Sequence, residues 1–552
     1  MIIFDFAVIA RWPRLQSWSS APLALSAEVL ALWTSLFFTL ACNDVFWAAF
    51  ATARDGTWWL ALRVGVFLIG LHWLLLLLVI NRWTVKPILI SLVLLTSAAV
   101  YFLTRYRVYL DASMLRNLLE TDVNEVSELL DWRMLPYAGL YGAVPAWLLY
   151  RARVQRTSWR LALRWRLACL ALATLLAGGG LWSAMYELAP TVRAHGELRH
   201  LVTPLNYISA LVKVLPQEHQ RVRAVIAPDA RRSAAATRKP IAFVLVVGET
   251  VRAANWGLNG YSRQTTPELA AHRVINFTHT TSCGTDTATS VPCMFSVHGR
   301  RNYNEKHIRS SESLLHVLSR VGVSVLWRDN QAGCKGVCDG LPFENIADTT
   351  QGCSKEHCAD ALLLQDLKGK IAAARGDVLI VLHMLGNHGP AYYQRYPVEF
   401  RRWQPTCDTT DLVSCSREAL VNTYDNAIGY TDHVLAQAID ILSGVTSHDT
   451  AMLYVSDHGE SLGEHNLYLH GMPYLIAPKE QTQVPMDLWL SRGFAASTRL
   501  DTACLAKRAT LPVSHDHLFH TVMRMFDVES TVYDPVWDFA ATCRRPLSTY
   551  GS

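Results

Sequence analysis

The first third of the chain carries five long apolar stretches, at roughly 26–50, 58–81, 86–104, 134–150 and 165–184. Each approaches the about 20 residues that a helix needs to cross a bilayer. Inside hydrocarbon the backbone must satisfy its own polar groups, so stretches of this kind fold as helices. Pro145 interrupts the fourth and shortest stretch, and Pro87 stands near the start of the third, where proline is tolerated. Basic residues set the orientation. Arg11 and Arg14 place the N-terminus inside, and Arg82 with Lys86 falls inside after two crossings. The six arginines between Arg151 and Arg166, with no acid among them, fall inside after four. A basic cluster is also a nucleic-acid signature, but one lying between two apolar segments reads as a cytoplasmic loop. The fifth crossing leaves everything beyond about residue 185 outside. The first span starts late and is followed by others, unlike a cleavable signal peptide.

The cysteines agree with that placement. Of twelve, Cys42 and Cys169 lie inside apolar stretches and the other ten follow residue 280. Eight form local couples, Cys283 with Cys293, Cys334 with Cys338, Cys353 with Cys358 and Cys407 with Cys415, which leaves Cys504 and Cys543 as a distant one. Even numbers at short spacing suit disulfides in an oxidising compartment. CKGVC and CSKEHC faintly resemble zinc knuckles, but no couple has the two-residue spacing of a zinc ribbon.

At 552 residues the chain exceeds one compact core. The expected division is a transmembrane domain over 1–190, a bridging helix and linker over 191–238, and an outer domain over 239–552. In the outer loop 105–133, Asn117, Thr121 and Glu125 are four residues apart and share one helix face. That face is either solvated or turned to a lipid headgroup. The stretch LRHLVTPLNYISALVKVL, within 195–225, reads as an amphipathic helix on the bilayer surface.

From Lys239 onward, short apolar runs alternate with helical patterns. IAFVLVVGE, SVLWRD, VLIVLHML and AMLYVSDHG read as buried strands of a mostly parallel sheet, so the outer domain is α/β. Ligands of such sheets gather at the carboxyl ends of strands. There stand Glu249, the loop containing His388, and Asp457-His458. Carboxylates and imidazoles without thiolate suit zinc or manganese, and in a catalytic rather than a structural site. The segment THTTSCGTDTATSVPCMFS is crowded with hydroxyls and leads into a helix, whose N-terminus favours phosphate. Ser282, Thr285, Thr287, Thr289 and Ser290 all remain open as the nucleophile.

The motifs VVGET, TSCGTDTATSVPCMFS, DNQAGCKGVCDG, LGNHGPAYYQRYP and VSDHGESLGEHNLYLHGMP resemble those of the lipid A phosphoethanolamine transferases. That family of the alkaline-phosphatase superfamily includes the mobile colistin-resistance enzymes. The resemblance implies a five-helix membrane anchor in the bacterial inner membrane and a sulfatase-like α/β domain in the periplasm. It implies Thr287 as nucleophile, with Glu249, Asp457, His458 and the Thr287 oxygen around a tightly held zinc. His388 and His470 match residues that bind substrate phosphate or a second zinc, and Glu460 and Lys335 match the headgroup pocket. Asn117, Thr121 and Glu125 match membrane-domain residues implicated in substrate binding. The implied donor is phosphatidylethanolamine and the implied acceptor is lipid A, handled by a monomer with no nucleic-acid partner. Asp286 departs from the pattern, which has a small neutral residue there; a carboxylate in that place raises the threonine pKa unless it points away.

Three other readings compete. Transfer to a lipopolysaccharide core sugar or a glucan, or phosphoglycerol transfer, differs only in the groups handled. A hydrolase, either sulfatase or phosphatase, is the second; a sulfatase would place its Cys or Ser in a C/S-x-P-x-R context, which CGTDTATS does not match. A non-catalytic scaffold would not need Glu249, Thr287, Asp457 and His458 intact.

Overall fold

The computed structural model describes residues 24–53, 58–120, 131–195, 197–214, 223–232, 238–346 and 359–545. They fall into two compact units. One comprises described residues up to Cys42, within Asp55–Ser97 and within Tyr137–Ala189; the other comprises Asn43–Arg54, Ala98–Pro136 and Pro190 onward.

Three helices are long and apolar enough to span a membrane, Trp58–Val79 (α1), Val85–Tyr106 (α2) and Trp159–Ala194 (α4). A fourth span results if Ala27–Ala41 and Asp44–Ala53, bent at their break, count as one. The expected span at 134–150 is helical, running from Met134–Tyr137 through a π-helical turn Ala138–Ala143 into Val144–Arg151, with right-handed helical backbone at both junctions. Among the described residues, single helices that meet the length and composition of a span therefore number three, or four with the bent pair. In the first unit, α1 and α4 approach through glycine: a Cβ added at Gly70 would stand 2.5 Å from Ala177 N, and one at Gly180 would stand 2.7 Å from Phe67 N. Small residues permit this contact in a setting where association gains nothing from excluding water.

The second unit is built on an eight-stranded sheet. Its strands are β1 (Ile241–Gly248), β2 (Ile275–Thr281), β3 (Ser324–Asp329), β4 (Phe343–Asn345), β5 (Val378–His383), β6 (Asp449–Ser456), β7 (Gln483–Leu490) and β8 (Val513–Ser514). The order is β8-β2-β7-β6-β1-β5-β3-β4. Only β7 runs antiparallel to its neighbours; the other pairs are parallel. The central strands β1 and β5 are buried along their whole length, as the unbroken apolar runs require.

The short helix Ala112–Glu120 (α3) belongs to this unit and packs on Leu205–Val214 (α5) and Thr287–Met294 (α6). Arg116 of α3 pairs with Glu305. Within the segment 191–238, described residues near its end are tied into the fold: Arg231–Arg232 pairs with Val528–Glu529, and Arg232 and Arg238 both reach Asp377. Four disulfides join Cys283–Cys293, Cys334–Cys338, Cys407–Cys415 and Cys504–Cys543. The couple Cys353/Cys358 lies outside the described residues.

Candidate metal centre

Two adjacent parallel strands end side by side, and each delivers side chains that could hold a metal ion. Gly248 of β1 is in register with Ser456 of β6, so Glu249 and Asp457-His458 emerge together. All three are fully buried, and one ligand atom from each lies within 4.8 Å of the others. His458 Nε2 is 3.3 Å from Glu249 Oε1 and 3.4 Å from Asp457 Oδ2. His458 Nδ1 donates to the Gly459 carbonyl at 3.0 Å, which fixes the tautomer that leaves Nε2 free for a ligand. Asp457 Oδ1 accepts the backbone N–H groups of Thr250 and His458, while its buried Oδ2 has no hydrogen bond among the described residues.

Thr287 is the first residue of α6. Its Oγ1 donates to Glu249 Oε2 at 3.0 Å and lies 3.4 Å from His458 Nε2. Of the other four hydroxyls, Ser282, Thr285 and Ser290 point to the carbonyls of Gly284, Met472 and Asp457. Thr289 Oγ1 is buried with no hydrogen bond among the described residues. Of these five candidates only the Thr287 hydroxyl meets the carboxylate–imidazole cluster; outside them, the Thr250 hydroxyl donates to the other Glu249 oxygen, Oε1.

The start of α6 is held from several directions. Asp286 is its N-cap and accepts the Thr289 N–H at 2.9 Å, so the carboxylate is occupied with the helix end. Pro292 has no N–H to give the Ala288 carbonyl, and Arg309 Nη2 fills that place at 2.6 Å.

The electrostatics call for a cation. Burial pushes Asp457 upward, and neighbouring Glu249 adds to it, raising Asp457 to about 8. Burial also works against Glu249, but the His458 imidazolium outweighs it and holds Glu249 well below the carboxylate range. His458 resists the lowering effect of burial because Asp457 and Glu249 raise it to about 10. Two buried carboxylates thus share one imidazole. Three converging O and N donors, an unpaired Asp457 oxygen and a hydroxyl in the fourth direction fit a tetrahedral zinc site.

The outer residues gather on one side of this cluster. The rings of His458 and His470 are 4.3 Å apart and those of His470 and His388 are 5.7 Å apart. His470 Nδ1 is 3.3 Å from Glu460 Oε2. Glu460 Oε1 and His388 Nδ1 are buried with no hydrogen bond among the described residues. Burial raises Glu460 to about 8, and burial lowers His470. The His388 turn requires a glycine: at Gly386 φ is +54°, and an added Cβ would stand 2.7 Å from the Glu249 carbonyl oxygen.

The remaining expected residues divide. On α3, Met114 Sδ lies 3.4 Å from where a Cβ would stand on Gly471, so this helix reaches the turn bearing His470. Asn117 is three residues further, on the same face. Thr121 and Glu125 lie outside the described residues. Lys335 donates to the Ala332 carbonyl at 3.0 Å and lines a cavity of about 500 Å³ with Arg116, Arg309 and Pro292, whose lining includes none of the four central residues.

Sequence reasoning missed two buried supports. Asp360 accepts the backbone N–H groups of Leu385 and Gly386 at 2.8 and 2.9 Å, which sets the turn leading to His388. His515 accepts the Cys283 N–H at 3.1 Å through Nδ1 and donates to the Ser456 carbonyl at 3.0 Å through Nε2, tying the Thr287 loop to the end of β6. Burial lowers His515 to about 3, so it stays neutral in this role. A polar SHDH run before an apolar helix is the only trace of it in the sequence.

A family model described as sulfatase matches residues 242–528. A second, described as phosphoethanolamine transferase EptA/EptB, matches residues 68–219. The phosphoethanolamine transferase EptA of Salmonella typhimurium is 39% identical over 478 residues, covering 84% of this chain and 86% of that protein. The phosphatidylethanolamine transferase Mcr-1 of Escherichia coli is 36% identical over 543 residues, 94% of this chain and 98% of that one. Among solved structures, the integral membrane lipooligosaccharide phosphoethanolamine transferase A of Neisseria meningitidis superposes with a TM-score of 0.90 at 34% identity, covering 95% of this chain and all of that one.

Proposed function

The chain belongs to the phosphoethanolamine transferase family, and on that premise we propose that it moves phosphoethanolamine from phosphatidylethanolamine to a phosphate of lipid A, using Thr287 as a covalent nucleophile. The observation that carries the reading is the Thr287 hydroxyl, 3.0 Å from Glu249 and at the point where Asp457 and His458 converge.

Glu249, Asp457, His458 and the Thr287 oxygen would hold one zinc; His388 and His470, beside Glu460, offer a second position. Bound zinc supplies positive charge that lowers the threonine pKa and stabilises charge on the phosphoryl oxygens. In the first half-reaction the Thr287 oxygen attacks phosphorus. A Thr287 O–P bond forms, the P–O bond to diacylglycerol breaks, and the proton leaves with the diacylglycerol hydroxyl. His388 or His470, whichever holds no metal, delivers that proton. In the second half-reaction an acceptor phosphate oxygen attacks the same phosphorus, the Thr287 O–P bond breaks, and the phosphate's proton returns to threonine. The sequence is ping-pong. Lys335 and Glu460 receive the headgroup, and Asn117, Thr121 and Glu125 guide it from the membrane side.

Residues 1–190 form the anchor with five spans in the inner membrane, 191–238 bridge, and 239–552 form the periplasmic catalytic domain of a monomer. Both substrates are lipids, so anchoring turns a search through water into one in two dimensions. The product gains an amine, the outer surface becomes less negative, and cationic peptides such as polymyxin bind it less well. The alternative acceptors are a lipopolysaccharide core sugar or another periplasmic glycan, and the alternative transferred group is phosphoglycerol. Mass spectrometry of lipid A from expressing cells tests the reading: added phosphoethanolamine on lipid A phosphate is expected. Unmodified lipid A beside a modified core or glycan would transfer the assignment to that acceptor.

A further inference from the structure

A second charged site stands at the other end of the sheet. A cleft of about 720 Å³ opens where β2 begins at Ile275 and β7 ends at Leu490. Leu490 is in register with Ala451 of β6, six residues before Asp457, so the cleft is about 20 Å from the metal centre along the strand. Arg273, Arg492, Arg499 and Arg545 line it, with His272 and Trp489, and no acidic residue does. The nearby acids are engaged at its margins. Asp501 faces Arg545 at 3.7 Å, Asp440 faces His272 at 3.6 Å, and Asp449 accepts from Ser497. Arg273, Arg492 and Arg499 have no ion-pair partner among the described residues.

Two of these arginines occupy costly backbone. Arg273 has φ +53° and Arg499 φ +57°, each just past the C-cap of a helix, where glycine is the favoured residue. Their N–H and C=O groups need no arginine; what they share is the cleft their side chains line. The Arg545 N–H donates to the Arg499 carbonyl at 2.9 Å, which holds the two backbones together at the cleft that both residues line. Like charges gathered around one concavity repel unless an anion lies among them, and planar guanidinium forks match phosphate oxygens.

We propose that this cleft binds a phosphate-bearing ligand away from the metal centre. Trp489, half-buried in the lining, offers an aromatic face to a sugar if the phosphates are carried by a saccharide.

The test uses the full chain in detergent at low ionic strength, titrated calorimetrically with inorganic tripolyphosphate and, separately, with a disaccharide bisphosphate. Saturable binding that weakens with added salt is expected. Arg273→Gly with Arg499→Gly puts the favoured residue at both left-handed positions, so folding and headgroup transfer are retained while affinity falls at least tenfold. Arg492→Gln with Arg545→Gln, at exposed positions, gives the same loss by an independent route. Tighter binding of the disaccharide than of tripolyphosphate identifies a glycan ligand; equal binding identifies phosphate alone. Absence of saturable binding, or wild-type affinity in both double variants, overturns the proposal.

Discussion

Asp286 is the residue whose role the structure changes most, and it can be tested by separating its shape from its charge. Its carboxylate caps α6 through the Thr289 N–H at 2.9 Å and is buried. Asp286→Ala removes the cap and leaves a buried donor unpaired, at a cost of about 1–2 kcal/mol. For a catalytic unit of roughly 300 residues the unfolding entropy is about 0.65 kcal/mol/K, so the melting temperature should fall by about 2–3 °C. Activity should fall further, because Thr287 occupies the first turn and must keep its 3.0 Å approach to Glu249. A misplacement of about 1 Å costs up to about 100-fold, so release of labelled diacylglycerol should drop by roughly 10–100-fold. Asp286→Asn keeps an acceptor in the same place and removes the charge. It should melt within about 1 °C of wild type, given an expected loss of under about 0.5 kcal/mol, and react within about threefold of it. Equal damage in the Asn and Ala variants would refute the capping argument and assign the effect to charge.

Other parts of the second unit give further expectations. Burial raises Asp487 to about 8, and among the described residues only Trp256 Nε1 donates to its carboxylate, at 2.9 Å. A folded pKa above the unfolded value means that its contribution to stability is complete below about pH 4 and is lost as pH rises to about 8. Asp487→Asn should remove that slope in denaturant melts and stabilise the protein by about 1–3 kcal/mol at pH 8.5; an unchanged slope would contradict this. Replacing Cys407 and Cys415 by serine opens a short loop and should cost about 2.5 kcal/mol by chain entropy, read as a lower denaturation midpoint. Glu249→Gln should lower bound zinc, measured by plasma mass spectrometry after dialysis. Chelator should then lower the melting temperature of wild type but not of this variant.

Much of this architecture is legible from residue order, for identifiable reasons. The sheet is, because β1 and β5 are buried on both faces and so must be continuously apolar. The convergence of Glu249 and Asp457 is, because parallel strands bring them to one edge whatever the loops do. The choice among five hydroxyls is not, since it depends on which side chains turn back onto carbonyls, as Ser290 and Thr285 do. Asp286 looks like an unwelcome charge because sequence order places it beside Thr287, whereas its side chain is spent on the helix-end N–H three residues on. Asp360 and His515 were invisible because they act on backbone N–H and C=O groups, which every sequence possesses. The stretch at 134–150 is apolar and helical as expected, but the sequence does not announce the π-turn at Ala138–Ala143 within it.

The central claim is that the Thr287 oxygen carries the transferred group. Purified protein with zinc is exposed to phosphatidylethanolamine without acceptor, quenched in acid and digested, and the peptide spanning 278–296 is weighed. A phosphoethanolamine adduct of about +123 Da on Thr287 is predicted, absent from Thr287→Ala. An adduct on another residue, or full donor turnover by Thr287→Ala, would contradict the account.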